Sequence, residues 1–493
     1  MSLLKRTTSQ AFQYAGFVAM GLVLSFIAFP IMARIFTVEE YGQLALFNAV
    51  LALLIPFAKS GMTTAVIKDY AKVANAEEKS VLFTSSLGGV VICSFCTFIV
   101  YYLIALFAKE YVALNVAYFL LIVAVILLSR TVLNLFASFF RAEEKVFLLG
   151  IISLTSRSGA MIVSIAACVL LKKGLYGYLL GLLIFEAIAA FLLTLYFQRK
   201  GELNVKKISL EKLKKLFIYG FPLIFFEVSS LLNDYADRFF IQYFLDSAQL
   251  GIYSVGYNIS TYIQGFITGP LWMTIFPIYT KLWESEGRER TTDYLQVLLK
   301  YYLCLAVLII CGVLSVSREF IVVFATEKYL LAVQIVPMVT ASILIYGTYH
   351  ITGAGFFLLK KTKIIAGYTM FCALLHAALN IYLIPKYQIQ GAVLSAMISY
   401  TVLTALITLH SNRILRLKWP VKDLAVYLIF ALGIGLLVHR VETGSALSLL
   451  VIRSLLITVL YAAAISAYDA HLKQTAIAWM RNKLLQRKKG DVK

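Results

Sequence analysis

The chain has 493 residues, 61% of them hydrophobic and 14% charged, against roughly 45–50% and about 25% in soluble globular proteins. That composition excludes a soluble protein and makes the membrane-spanning helix of about 20 residues the unit of counting. A net charge of +20 would suit a nucleic-acid binder if Lys and Arg formed one solvated face, but they fall in short clusters between apolar runs, so nucleic acid is not an expected partner.

In chain order the apolar runs predict an all-α integral membrane protein of about fourteen helices. They fall near 11–36, 41–66, 81–108, 113–139, 146–171, 174–198, 214–244, 249–280, 295–316, 330–358, 363–384, 390–411, 422–440 and 447–468. The first follows Lys5 and Arg6, is too long for a signal-peptide core and lacks an A-x-A site, so it should remain as a span. The second carries Lys59 in its inner half. The third holds Cys93 and Cys96, a C-x-x-C with no second ligand pair. Like Cys168, Cys304, Cys311 and Cys372, these read as packing residues, and no metal site or cofactor is expected.

Ionisable residues at membrane depth cost several kcal/mol each and are functional candidates. On the fourth span Arg130, Asn134 and Ser138 share one face, and on the fifth so do Ser153 and Arg157. Both arginines lie about 11 residues, or about 16 Å, from the cytoplasmic end, near the bilayer midplane. With Lys59 they suggest a cationic, substrate-binding cavity for a phosphate or pyrophosphate, because Arg offers such oxygens a planar fork of donors. Structural pairing with Glu186 on the sixth span or Glu227 on the seventh is the alternative. On the seventh span Glu227, Asp234 and Arg238 form one stripe at i, i+7 and i+11. Glu227 and Asp234 are candidates for binding a coupling ion or proton, and Asp237 and Arg238 for a gate or structural role. On the eighth span Tyr253, Tyr257, Thr261, Gln264 and Thr268 form a stripe that could meet sugar hydroxyls and rings, with Tyr257 and Gln264 as substrate contacts, or serve helix-to-helix hydrogen bonding. His376 on the eleventh is a lone histidine, suited to packing or to a proton relay.

The connections alternate in basic content. Roughly 32 of the 45 Lys and Arg lie on the side of the N-terminus and roughly 8 on the other, which places both termini in the cytoplasm. The tail, with Trp479, Leu484 and Leu485 among Arg481, Lys483, Arg487, Lys488 and Lys489, reads as a basic amphipathic helix on anionic membrane lipid or as a solvated terminus. No connection is long enough for a soluble catalytic domain, so no catalytic residues are assigned.

The chain also resembles itself. Arg34–Asn48 after the first span and Gln242–Asn258 after the seventh both contain a helix end, a short acidic turn and a glycine, Gly42 or Gly251, opening the next helix. Lys172–Gly177 and Lys386–Gly391 form a second pair, at a similar offset of roughly 210 residues. Two six-helix halves with the same membrane orientation are expected, at 1–200 and 201–415, as in parallel-repeat transporters. Helices 13 and 14 (416–470) and a basic cytoplasmic tail (471–493) follow.

The stretch Asp237–Ser254 resembles the junction of spans 7 and 8 in bacterial polysaccharide (O-antigen type) flippases of the multidrug/oligosaccharidyl-lipid/polysaccharide exporter superfamily. Ala33–Gly42, Gly61–Tyr70, Phe276–Lys281 and Asn380–Ala392 are similar to further signatures of that family, with Gln388 standing where the family commonly has Gly. The resemblance implies a non-enzymatic flippase of the bacterial cytoplasmic membrane. It would move an undecaprenyl-pyrophosphate-linked oligosaccharide by alternating access, hinged at breaks such as Pro30, Pro222, Pro270 and Pro277. Membrane lipids and polysaccharide polymerase and export machinery would be its partners, and helices 13 and 14 would help to form a groove for the lipid tail. Two alternatives stay open: a cation-coupled multidrug exporter of the same fold, and a membrane glycosyltransferase or polymerase. The first would want an anionic cavity and the second a sizeable outer loop.

Overall fold

A computed structural model of the chain describes residues 3–107, 116–442 and 444–469. The basic tail at 471–493 lies outside the described residues. Every element among those described is helical, as hydrocarbon requires, since a helix satisfies its own backbone N–H and C=O groups where there is no water to do so.

Helix α1 (Leu3–Ile35) is joined to α2 (Val38–Lys59) through Phe36 and Thr37. Thr37 forms a capping box, its Oγ1 accepting from Glu40 N at 3.1 Å while Thr37 N donates to Glu40 Oε2 at 3.0 Å. The span expected at 41–66 is broken: Ser60 and Gly61 turn left-handed, with φ of 44° and 65°, before the chain resumes as α3 (Met62–Tyr70). Helices α4 (Ala76–Phe107) and α5 (Val116–Ala142) follow. The fifth span consists of α6 (Val146–Leu154), a π-helical turn at Thr155–Gly159, and α7 (Ala160–Leu171). Next come α8 (Gly174–Arg199) and α9 (Leu210–Phe244). Segments Leu210–Phe225 and Glu227–Phe244 of α9 meet at 41°, just past Pro222, which removes a backbone donor from the helix interior.

Helices α10 (Ser247–Ser285) and α11 (Gly287–Phe324) lead through a tight helical stretch, Glu327–Gln334, into α12 (Ile335–Gly347), α13 (Tyr349–Thr352) and α14 (Ala354–Leu358). The chain then runs through α15 (Thr362–Ser411), α16 (Val421–His439) and α17 (Ala446–Tyr468). The rings of His376 and Tyr400 lie 6.4 Å apart, whereas about 24 residues of straight helix would separate them by about 36 Å. Helix α15 therefore folds back on itself at Gln388, where φ is 54° and ψ −136°.

Eleven of the described helices are long and apolar enough to cross a membrane, and twelve if the bent α9 is one span. Two features separate this number from the expected fourteen or so. Helix α15 is counted once although it has two limbs, and α10, rich in Ser, Tyr, Asn, Thr and Gln, is not among the eleven. Large apolar side chains such as Phe95, Ile162, Leu170, Phe191 and Leu436 stand exposed on the helices, a lipid-facing surface that would aggregate in water.

The chain groups into two compact units, one of residues up to 271 with 362–403, the other of residues 272–361 with those from 404 onward. In the first unit a buried phenylalanine stack ties α4, α5 and α8 together. Phe83 lies on Phe139 at 3.7 Å and Phe136 on Phe197 at 4.9 Å between ring centroids. In the second, Tyr427 and Ile434 of α16 pack with Ile457 and Tyr461 of α17 against Val307 and Cys311 of α11. Buried Arg453 of α17 donates to Glu319 Oε1 at 2.8 Å and to the carbonyls of His439 and Val441, at 3.3 and 2.9 Å, where α16 ends. This satisfies a buried cation together with one orphan carbonyl at the end of α16 and one just beyond it.

A candidate substrate cavity

The first unit encloses a cavity of about 680 Å³, within the roughly 300–1,000 Å³ typical of small-ligand sites. Arg130 of α5, Arg157 of the π-helical turn and Arg238 of α9 all line it, with Glu186 of α8. Three guanidinium groups against one carboxylate make its wall cationic. Asn48, Asn134, Asn258, Tyr41, Tyr178 and Tyr262 add amides and hydroxyls.

The three arginines are held differently. Arg130 is engaged through Nε, which lies 2.9 and 3.0 Å from the two oxygens of Glu186. No described residue takes its two Nη groups, which remain donors for a ligand. Glu186 is nearly buried, at 6% exposure, so it holds the Arg130 side chain while offsetting only one of the three charges. Arg157 is exposed on the cavity wall, with no ion pair to any described residue. The π-helical turn around it is a one-residue bulge of the kind that recurs at functional sites, re-aiming the side chains that follow. Arg238 is 5% exposed. Its Nη1 donates to the Asp234 carbonyl at 2.6 Å and its guanidinium lies 4.7 Å from the Tyr235 ring centroid and 4.6 Å from that of Tyr257.

The other residues singled out in the sequence lie elsewhere. Lys59 is not on the cavity wall. Its Nζ lies 2.5 Å from Glu227 Oε1, an ion pair joining the break of α2 to the bend of α9. Beside it Gly61 and Gly220 approach so closely that a Cβ on Gly61 would sit 2.3 Å from the Gly220 carbonyl oxygen. Asp237 is 1% exposed and accepts from Asn380 Nδ2 at 2.8 Å and from the Tyr253 hydroxyl, with His376 Nε2 at 2.7 Å. Asp234 lies one turn before Arg238, within hydrogen-bonding reach of the Tyr400 hydroxyl.

The stripe expected on the eighth span turns away from the cavity. Tyr253 and Tyr257 are buried behind it, Thr261 bonds back to the Asn258 carbonyl at 2.8 Å, and Gln264 is half-buried outside the lining. The adjoining face, Ser254, Asn258 and Tyr262, lines the cavity instead. That i, i+4, i+8 set was equally visible in the sequence, but helical spacing does not say which of two polar faces points inward. Asn258 Nδ2 donates to the Tyr41 hydroxyl at 3.0 Å and the Tyr262 hydroxyl to the Ser25 carbonyl at 3.1 Å, so α10 is fastened to α2 and α1 along the wall. Among the described residues no group of three or more His, Cys, Asp or Glu is placed to hold a metal ion.

An all-α, multi-pass membrane protein with a cationic cavity among its helices is the class these observations define, and its fold is that of the transporters of the MOP superfamily. Similar solved structures include the lipid II flippase MurJ in an inward closed conformation, with a TM-score of 0.75 over 93% of this chain and 99% of that one at 17% identity. An inward-facing multidrug resistance MATE family transporter of the MOP superfamily matches with a TM-score of 0.60 over 82% and 97% at 13% identity. A MOP superfamily transporter from Pyrococcus furiosus matches with 0.55 over 82% and 95% at 12% identity. No curated protein sequence matches the chain. Residues 13–283 match the family model of the polysaccharide biosynthesis proteins, and the chain belongs to that family, in agreement with the resemblance read from its motifs.

Proposed function

We propose that the protein is a flippase that moves a lipid-linked oligosaccharide repeat unit, carried on undecaprenyl pyrophosphate, from the cytoplasmic to the outer leaflet by alternating access. The observation that carries this reading is the cavity wall, where Arg157 has no counter-ion among the described residues and Arg130 keeps both Nη groups free of protein partners. Such donors at membrane depth suit a pyrophosphate and repel a cationic drug. The lipid tail is already in the bilayer. What needs help is the head group, whose hydroxyls would each cost several kcal/mol if left unpaired in hydrocarbon. Asn134, Asn258, Tyr41 and Tyr262 supply partners for them. The asymmetry of basic residues supports a cytoplasmic membrane location with both termini inside. Polymerase and export machinery would act on the delivered unit.

The test is leaflet reorientation of lipid-linked oligosaccharide in vesicles containing the purified protein. Charge-assisted hydrogen bonds of about 1.5–3 kcal/mol correspond to a loss of roughly 10- to 100-fold on truncation, so Arg157→Ala and Arg130→Ala should each slow reorientation by at least tenfold. Unchanged rates in both variants would remove the pyrophosphate site. Absence of reorientation by the wild type would remove the cargo.

A further inference from the structure

We propose that the connection between α15 and α16 is a binding site for anionic phospholipid headgroups of the surrounding bilayer, a role separate from the cargo and independent of what that cargo is. Between Glu327 and Glu442 the sequence holds a single acidic residue, Asp423. It is engaged within the second unit, where Asp423 Oδ1 lies 3.1 Å from Lys300 Nζ of α11 and accepts from the Tyr468 hydroxyl of α17 at 3.3 Å. Six cations from the same stretch are left without it. Lys360 and Lys361 after α14, Arg413, Arg416 and Lys418 after α15, and Lys422 at the start of α16 are all exposed, and none has an ion pair with a described residue.

Packing brings these segments together. Gly355 of α14 admits the turn that ends α15, since a Cβ there would lie 2.9 Å from Ser411 Oγ and 3.1 Å from Ile414 Cβ. The Phe356 and His410 rings meet edge to face at 5.0 Å. Lys360 takes a left-handed φ of 58° and Lys361 N returns to the Phe356 carbonyl at 2.8 Å, so both lysines leave the chain close to that contact. Beyond Ile414, alternate residues face inward and outward: Leu415 and Leu417 are buried, whereas Arg416 and Lys418 are exposed.

Charge alone would suit a patch bathed in water or an acidic soluble protein. The apolar neighbours decide for lipid. Leu359, Leu409, Trp419 and Val421 are exposed at 41%, 70%, 39% and 67%, on the same segments as the cations and at the ends of membrane-crossing helices. Such a mixture suits the membrane–water interface, where an indole rests at headgroup level and Lys and Arg stems lie along hydrocarbon with their charged ends toward phosphate. Arg413 and Arg416 can each hold a phosphodiester through two parallel donors, and the lysines add point charge. Clustered cations beside a span attract anionic lipid in proportion to their number.

The experiment uses the purified full chain in bilayers of phosphatidylcholine and phosphatidylglycerol, one of the two carrying brominated acyl chains that quench tryptophan on contact. The difference in quenching between wild type and Trp419→Phe isolates Trp419 from the other tryptophans. At equal minor fractions, brominated phosphatidylglycerol should quench Trp419 about threefold or more as strongly as brominated phosphatidylcholine. That ratio should fall toward one at about 1 M salt, where the Debye length is about 3 Å, a readout in which all six cations stay in place. Arg413→Gln, Arg416→Gln and Lys418→Gln together should lower the ratio at low salt while quenching by brominated phosphatidylcholine persists. A ratio of one in wild type, or a ratio that neither salt nor the triple substitution changes, would overturn the inference. Quenching by neither lipid would also overturn it, placing Trp419 in water and making an acidic soluble partner the better occupant. All of these outcomes leave the flippase reading untouched.

Discussion

Gln388 holds a backbone conformation, φ 54° and ψ −136°, that is open to glycine and costs other residues about 1–3 kcal/mol. The fold-back of α15 requires it, since Gly391 then lies against the backbone of Leu383, where a Cβ would meet the carbonyl oxygen at 2.3 Å. Gln388→Gly should raise stability by about 1 kcal/mol after the added chain entropy of glycine is subtracted, seen as a higher melting temperature in detergent; an unchanged or lower one would contradict the strain. The turn was legible in the sequence as a place where glycine is expected. The arginines were legible in another way: a cation in an apolar run at mid-span depth stands out in one dimension. Glu186 and Glu227 stood out with them as possible partners, but the assignment did not: Arg130 takes Glu186, Lys59 takes Glu227 and Arg157 takes neither, which only the packing of the helices decides.

At the scale of elements, α2 and α10 show what the internal repeat does. A Cβ on Gly42 would lie 1.9 Å from the Ser247 carbonyl oxygen, and one on Gly251 2.0 Å from that of Val38. The residues exchange equivalent contacts at the offset of about 210 residues seen in the repeat, as parts related by a two-fold axis do where that axis passes between them. The helix starts correspond too, with Glu40 N capped by Thr37 and Gln249 N capped by Asp246 Oδ1 at 2.7 Å. Gly42→Ala should force α2 and α10 apart at a cost of about 1–3 kcal/mol. A water-soluble maleimide should then label Asn258→Cys faster in the Gly42→Ala background, and equal labelling would show that the seam tolerates the methyl group. The glycines could be found by self-comparison, but their mutual contact could not. The π-helical turn at Arg157 had no clear signal beyond an isolated glycine, since a bulge of one residue is set by the helices packed around it.

For the whole molecule, most of the 45 Lys and Arg behind the net charge of +20 fall in connections on the face proposed to be cytoplasmic. The connection after α5 shows how that face is also a source of stability. Glu143 is flanked by Lys79 and by Lys145 Nζ at 2.7 Å, and Lys79 also reaches Glu202 at 2.6 Å. Burial pushes the Glu143 carboxyl up, but hydrogen bonds and charge from Lys145 and Lys79 outweigh it and hold the group below the usual carboxylate range. Its stabilising effect is therefore present above the unfolded value of about 4.3 and fades as pH falls through the lower folded value. Glu143→Gln should cost on the order of 2 kcal/mol at neutral pH, and the gap between variant and wild-type melting temperatures should close below about pH 4. A gap that persists in acid would show that shape, not charge, holds the cluster. The sequence by itself determined the class of the protein, most of its spans, its family and the short set of ionisable residues within apolar runs. Each of these depends on composition, periodicity and local motif, which are properties of neighbours along the chain. Only the tertiary structure decided which arginine keeps free donors, which face of α10 meets the cavity, and that Asp237 and His376 stand together. Those follow from contacts between helices separated by 56 residues, as for Arg130 and Glu186, or by more than a hundred, as for Asp237 and His376, where side-chain direction and close packing, rather than spacing in the chain, choose the partner.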